Sequence, residues 1–232
     1  AGMGITGVPA YIIAIAVGLV FGALLGWLNG VLIAHGKLLP FIATLGTMQI
    51  FRSVTQHLTQ HANPSVPKGF LQIANLKIGS FYIMPILYWL AIAAVLYVVS
   101  KRTTFGRHVF AVGSNIRTAR LSGINVNKVI SITFFIGGAL AAVSGICYAS
   151  AYPQVEVYMG SWLGNMSFVA AVLGGIGDIR GAMLGGFILG IAQIFATAIN
   201  STFGYAVGFI ILIVILLVKP AGIMGKLTTE KV

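Results

Sequence analysis

The chain has 232 residues, of which 58% are hydrophobic and only 7% charged, with a formal net charge of +11. Soluble domains carry about 25% charged residues, so this composition excludes a soluble globular domain and implies an all-α, polytopic membrane protein. The positive charge is spread over loops with no basic face interleaved with exposed aromatics, which argues against nucleic-acid binding and for a topology signal and attraction to anionic membrane lipid.

In chain order, 8–34 is apolar except for Asn29 and is long enough to cross a bilayer core. Gly18, Gly22, Gly26 and Gly30 recur every fourth position and should stack on one helix face, where small residues admit a neighbouring helix. Asn29 is expected to cap or to bond to a partner helix. A turn over 35–40 follows, with Leu39 driven from helical geometry by Pro40. The segment 41–56 carries Thr44, Thr47, Gln49 and Arg52 among apolar residues. It reads as a buried or broken helix, and Arg52 needs an aqueous end or a cavity.

The stretch 57–80 reads as an exterior loop. His57 and His61 have the i, i+4 spacing of a metal seat, but no carboxylate or cysteine accompanies them, so no metal site is assigned. Span 81–100 has Tyr82, Tyr88, Trp89 and Tyr97 suited to membrane interfaces. The segment 101–128 is the one long polar interruption. It carries Lys101, Arg102, Arg107, Arg117, Arg120 and Lys128 and contains no Asp or Glu, so the positive-inside rule makes it cytoplasmic. Its middle, Gly113 to Val126, reads as a short helical piece bounded by glycines, where a cytoplasmic partner grips the membrane domain.

Span 129–150 has a second small-residue stripe at Gly137, Ala141, Gly145 and Ala149, and Cys147 there is read as a small core residue. An outer loop, 151–165, contains Glu156 and Trp162, and a short apolar segment covers 166–177. The glycine-rich break at 174–181 lacks the GxxxxGK[ST] pattern and includes Asp178, which repels phosphate, so it is not read as a nucleotide loop. Spans at 182–200, with Ala182, Gly186 and Gly190 on one face, and at 205–218 complete about six or seven membrane segments. Seven alternating crossings with 101–128 inside put the N-terminus outside and the C-terminus in the cytoplasm. The segment 166–177 is short enough to dip rather than cross.

Several motifs resemble one family, the permease subunits of bacterial binding-protein-dependent ABC importers. Phe41-Ile-Ala-Thr-Leu-Gly-Thr-Met48, Thr104-Phe-Gly-Arg-His-Val-Phe-Ala-Val-Gly113 and Ala119-Arg-Leu-Ser-Gly-Ile-Asn-Val126 resemble its ribose- and galactose-type sugar permeases. Ala170-Ala-Val-Leu-Gly-Gly-Ile-Gly177, Gly181-Ala-Met-Leu-Gly-Gly186 and Lys219-Pro-Ala-Gly-Ile-Met-Gly-Lys226 resemble its branched-chain amino acid permeases. The resemblance implies one transmembrane permease domain over 1–232, with helices that the family places before the equivalent of Ala1 missing from this chain. It implies a plasma-membrane location, ABC ATPase subunits that bind ATP and magnesium, an extracytoplasmic solute-binding protein, and a second permease subunit, identical or related.

By the same resemblance, 101–128 is the coupling loop, with Gly113, Asn115, Ala119, Arg120, Leu121, Gly123 and Ile124 docking into the ATPase. Ile116, Arg117 and Thr118 stand where the family usually has acidic residues. No catalytic residue and no cofactor are expected in this chain. Thr44, Thr47, Gln49, Gln193 and Asn200 are the candidate polar groups of a solute path, each also able to serve as a helix–helix hydrogen-bonding residue. The preferred solute is a simple sugar such as ribose, with a branched-chain amino acid as the alternative. An ion-coupled secondary transporter is a reading of a different class. It is disfavoured because Glu156, Asp178 and Glu230 all lie in loops or the tail.

Overall fold

A computed structural model describes residues 8–60, 62–67, 69–70, 77–78, 81–82 and 84–225. His61, Lys68 and the tail from 226 onward, including Lys226 of the C-terminal motif, lie outside the described residues. The elements are α1 (Val8–Gly36), α2 (Pro40–Thr59), β1 (Lys77–Ile78), β2 (Phe81–Tyr82), α3 (Met84–Arg102), α4 (Thr104–Ser114), α5 (Ile116–Leu121), α6 (Val126–Ala151), α7 (Met159–Gly174), α8 (Ile179–Ile199) and α9 (Ser201–Val218). This is the all-α polytopic bundle that the composition implies, with one two-stranded hairpin in an interhelical loop. Among the described residues five helices, α1, α3, α6, α8 and α9, are long and apolar enough to cross a membrane. α2 and α7 are two further helices that do not meet that length and apolarity. Many apolar side chains on the spans are exposed, among them Ile12, Val17, Phe21, Ile194, Phe195 and Leu217, a surface suited to hydrocarbon rather than water.

The chain groups into two compact units, 1–92 with 98–158, and 93–97 with 159–232. In the first, α1 and α6 are closely packed. A Cβ at Gly30 would lie 2.7 Å from Ser131 Cα, and one at Gly26 would lie 2.8 Å from Gly138 Cα. The glycine stripe of α1 therefore does what its spacing predicts at Gly22, Gly26 and Gly30. The facing stripe on α6 is not the expected one. Ser131, Phe134, Gly138 and Ala142 meet α1, whereas a Cβ at Gly137 or Gly145 would touch nothing within 4 Å. Leu39 is extended, with φ −61° and ψ 127°, as its position before Pro40 requires. The loops at the far end are tied by backbone bonds, Val66 N–H to Pro153 O at 2.9 Å and Val155 N–H to Pro64 O at 3.2 Å.

In the second unit, Val169 and Leu173 are fully buried, and Met166, Val169 and Leu189 form the core. Here too the contact stripe is offset by one residue from the expected one. Gly181, Gly185 and Leu189 are the buried positions of α8, a Cβ at Gly185 would lie 2.9 Å from Gly174 N, and one at Gly190 would meet nothing within 4 Å. α7 begins at Met159, so Trp162 is in a helix rather than in the outer loop, packed edge-on to Tyr205 at 4.7 Å.

The glycine-rich break is a turn. Gly175 and Gly177 have φ of +107° and +97°, and Asp178 caps α8 by accepting from Arg180 N–H at 2.9 Å. The C-terminal turn lies against it, with Ile223 N–H donating to Leu173 O and Met224 N–H to Gly174 O, both at 2.9 Å. The two motifs of the second half, Ala170–Gly177 and the one starting at Lys219, are thus two sides of a single contact.

Candidate functional site

The segment 101–128 folds as two short helices joined at Asn115. Thr103 breaks the preceding span, extended at φ −103° and ψ 158°, with its hydroxyl oxygen accepting from Gly106 N–H at 3.2 Å. Asn115 ends α4 and starts α5: its N–H donates to Ala111 O at 3.1 Å, and its Oδ1 accepts from Thr118 N–H at 3.0 Å. α5 then closes with Gly123 in the left-handed region at φ +79°. Gly123 N–H donates to Arg120 O and Ile124 N–H to Ala119 O, each at 3.1 Å. That pair of bonds is the Schellman ending, which a glycine permits without steric cost. Asn125 starts α6 by accepting from Lys128 N–H at 3.1 Å. A six-residue helix does not hold itself together in water, so these caps and its packing must hold α5.

The packing comes from Val112, Ala119, Val126 and Val129, with Val109, Ala111, Ile124 and Ile130 against them. Of the predicted docking residues, Ala119 is 3% exposed and Ile124 leans on the same cluster, so both anchor α5 from beneath. Gly113, Asn115, Arg120, Leu121 and Gly123 are exposed, and Leu121, at 89%, is the apolar tip. Sequence reasoning missed Phe110 and Ile116, which are also exposed apolar side chains of this segment. Lys101 Nζ lies 5.3 Å from the Phe110 ring centroid. The result is a compact, basic knob with an apolar tip.

The candidate path residues divide between the units. In the first, Thr47 is buried and its hydroxyl donates to Asn29 Oδ1 at 2.7 Å, the interhelical bond expected of Asn29. Thr44 is one turn away and bonds back to Pro40 O at 2.9 Å, while Gln49 is exposed. A 580 Å³ groove lined by Gly22, Gly26, Asn29, Thr133, Gly137 and Ala141 opens beside the α1–α6 contact. Arg52 lies 5.3 Å from the Tyr158 ring centroid, and Gln56 Nε2 donates to Tyr158 Oη at 2.5 Å, so the polar end of α2 gathers against an aromatic partner. In the second unit, Gln193 is partly buried, and Asn200 caps α9 by accepting from Thr202 N–H at 2.9 Å. Arg180 stacks on Tyr97 at 4.4 Å and donates to its hydroxyl. Among the described residues no three His, Cys, Asp or Glu side chains converge on a metal position.

Across residues 1–218 the chain matches the family described as branched-chain amino acid transport system, permease component. It is 36% identical over 205 residues to the high-affinity branched-chain amino acid transport system permease protein LivH of Escherichia coli K12, covering 84% of this chain and 67% of that one. It is 35% identical over 206 residues to the corresponding permease BraD of Pseudomonas aeruginosa, with the same coverage of 84% and 67%. The ribose import permease protein RbsC of Haemophilus influenzae is 34% identical over 195 residues, 78% of this chain and 59% of that one. No solved structure matches the chain.

Proposed function

Because this chain belongs to the family of permease components of branched-chain amino acid transport systems, we propose that it forms the membrane path of an ATP-driven importer for a branched-chain amino acid. The observation that carries the substrate reading is the breadth of the similarity: 36% identity over 84% of the chain with LivH, against 34% over 78% with the ribose permease. This replaces the sugar preference drawn from separate motifs. Two of the sugar-like motifs, Thr104–Gly113 and Ala119–Val126, lie in or beside the α4–α5 knob, far in role from any solute.

In this reading the chain pairs with a second permease subunit, and a solute-binding protein delivers the amino acid on the outside. Separate ATPase subunits bind ATP and magnesium inside, the C-terminus is cytoplasmic, and this chain catalyses no reaction. The knob supports the coupling role physically. α5 is capped at both ends and seated on its own small core, so a push on Leu121 and Arg120 moves it as a rigid body into α6. The α6–α1 glycine contact then carries the displacement into the spans. Thr44, Thr47, Gln49, Gln193 and Asn200 are the candidate polar contacts along the path. Thr47 and Asn200 already serve α1 and α9 respectively.

The test is uptake of labelled leucine and labelled ribose by source cells with and without the gene, at normal and depleted ATP. Loss of ATP-dependent leucine uptake alone is the expected result. Loss of ribose uptake alone would overturn the substrate reading and leave the importer class intact.

A further inference from the structure

The groove beside the α1–α6 contact has a polar end and an apolar length. Asn29 lies seven residues before the end of α1, and Thr133 seven residues after the start of α6. At 1.5 Å per residue both side chains enter the groove about 10 Å from that end of the two spans. From there Gly26 and Gly22 on α1, and Gly137 and Ala141 on α6, carry the groove to the middle of the spans. Its 580 Å³ lies within the range of small-molecule sites, about 300–1,000 Å³. Asn29 Oδ1 is taken by the Thr47 hydroxyl at 2.7 Å, whereas its Nδ2 makes no hydrogen bond to a described residue. Thr133 Oγ1 donates to Val129 O at 2.8 Å and keeps its lone pairs for a donor from outside.

An amide with unmet N–H groups is costly against hydrocarbon, so an acyl chain is a poor occupant for the polar end. A sugar is a poor occupant for the rest, because hydroxyls on all its faces would lie unpaired against bare glycine backbone, Leu25 and Phe134. A branched-chain amino acid divides as the groove does, into a charged head and an aliphatic body. We propose that the solute crosses along this groove, with its carboxylate on Asn29 Nδ2, its ammonium at Thr133 Oγ1 and its branched side chain against Leu25, Phe134 and the open face at Gly137. Few polar contacts and no opposite charge make the hold weak, as passage requires. The inference rests on the amino acid importer reading and deepens it. Asn29 and Thr133 become solute contacts, and the width at Gly137 becomes the measure of side-chain size.

The experiment uses the complete importer in liposomes, with its binding protein saturated by labelled leucine or labelled valine, so that the membrane path sets the rates. A Cβ at Gly137 meets nothing within 4 Å, so Gly137→Ala and Gly137→Val place their methyl groups in the groove. Both variants should unfold near the wild-type temperature. The leucine-to-valine rate ratio should fall by about tenfold with Val, the lower end of what one methylene discriminates, and by less with Ala. Asn29→Leu should slow both solutes by about tenfold more than Thr47→Val, which removes the same interhelical bond but leaves the amide N–H groups in place. An unchanged ratio in both Gly137 variants, or equal rates in Asn29→Leu and Thr47→Val, would overturn the groove assignment. So would an unchanged ratio with a lowered unfolding temperature or a lost second permease subunit, which would mark the groove as a seat for another helix. Wild type that imports ribose and not leucine would overturn the amino acid reading itself, whereas leucine import that ignores Gly137 and Asn29 overturns this inference alone.

Discussion

Gly123 offers a way to separate the internal architecture of the knob from its contact with a partner. Its φ of +79° costs an L-residue about 1–2 kcal/mol, and the cost is the same for any unbranched side chain. A Cβ there would meet nothing within 4 Å, and the residue is exposed, so a side chain starts out into open space. Gly123→Ala therefore weakens the Schellman ending of α5 by about 1–2 kcal/mol and adds no bulk of consequence. Gly123→Arg weakens it equally and adds bulk and charge to the outer surface. With equal thermal stability, a difference in ATPase retention between the two variants reports a contact outside the chain. If the knob docks in a close-fitting groove, Arg costs at least about 2 kcal/mol more, as disruption of a central contact does, or roughly 30-fold in affinity. The assay is co-purification of ATPase subunits with each tagged variant, alongside thermal unfolding in detergent. The expected outcome is equal thermal stability, partial ATPase retention with Ala and near-complete loss with Arg. Equal ATPase retention by the two variants would refute the docking assignment.

Leu121→Asp should leave stability within about 0.5 kcal/mol, because the side chain is 89% exposed, while lowering solute-stimulated ATPase activity at least tenfold. Gly26→Ala should be less stable than Gly137→Ala by about 1–3 kcal/mol in thermal unfolding, because a Cβ at Gly26 lies 2.8 Å from backbone and one at Gly137 lies in open space. Thr47→Val should cost about 0.6 kcal/mol through loss of the 2.7 Å bond to Asn29, and the Asn29→Leu, Thr47→Val pair should cost less than the sum of the single changes.

The run of glycines at 18, 22, 26 and 30 made the contact face of α1 legible, because every fourth residue shares a helix face and no competing small-residue stripe is present. α6 offers two such stripes one residue apart, and spacing alone does not choose between Gly137 and Gly138. The choice is made by which Cα lies against Gly26. α8 presents the same ambiguity, resolved toward Gly181 and Gly185 by the turn at Gly174. In the coupling segment Gly123 and Asn115 carried readable backbone signals, a left-handed stop and a cap. The inward roles of Ala119 and Ile124 depend on Val112 and Val126, from the neighbouring helices, and were not visible locally. The solute was the least legible feature. The motifs that suggested sugar include the knob, whose proposed role is to dock an ATPase rather than to touch solute, whereas Thr47 bonds to Asn29 across helices and Asn200 caps α9.

The most direct test of the account is ATP-dependent uptake by the complete importer reconstituted in liposomes with its own binding protein, with labelled leucine and labelled ribose supplied together. The account predicts that leucine accumulates only with ATP inside, and that unlabelled isoleucine or valine competes while unlabelled ribose does not. Accumulation of ribose without leucine would contradict the substrate claim. Leucine uptake that persists without ATP and collapses with an uncoupler would contradict the importer itself.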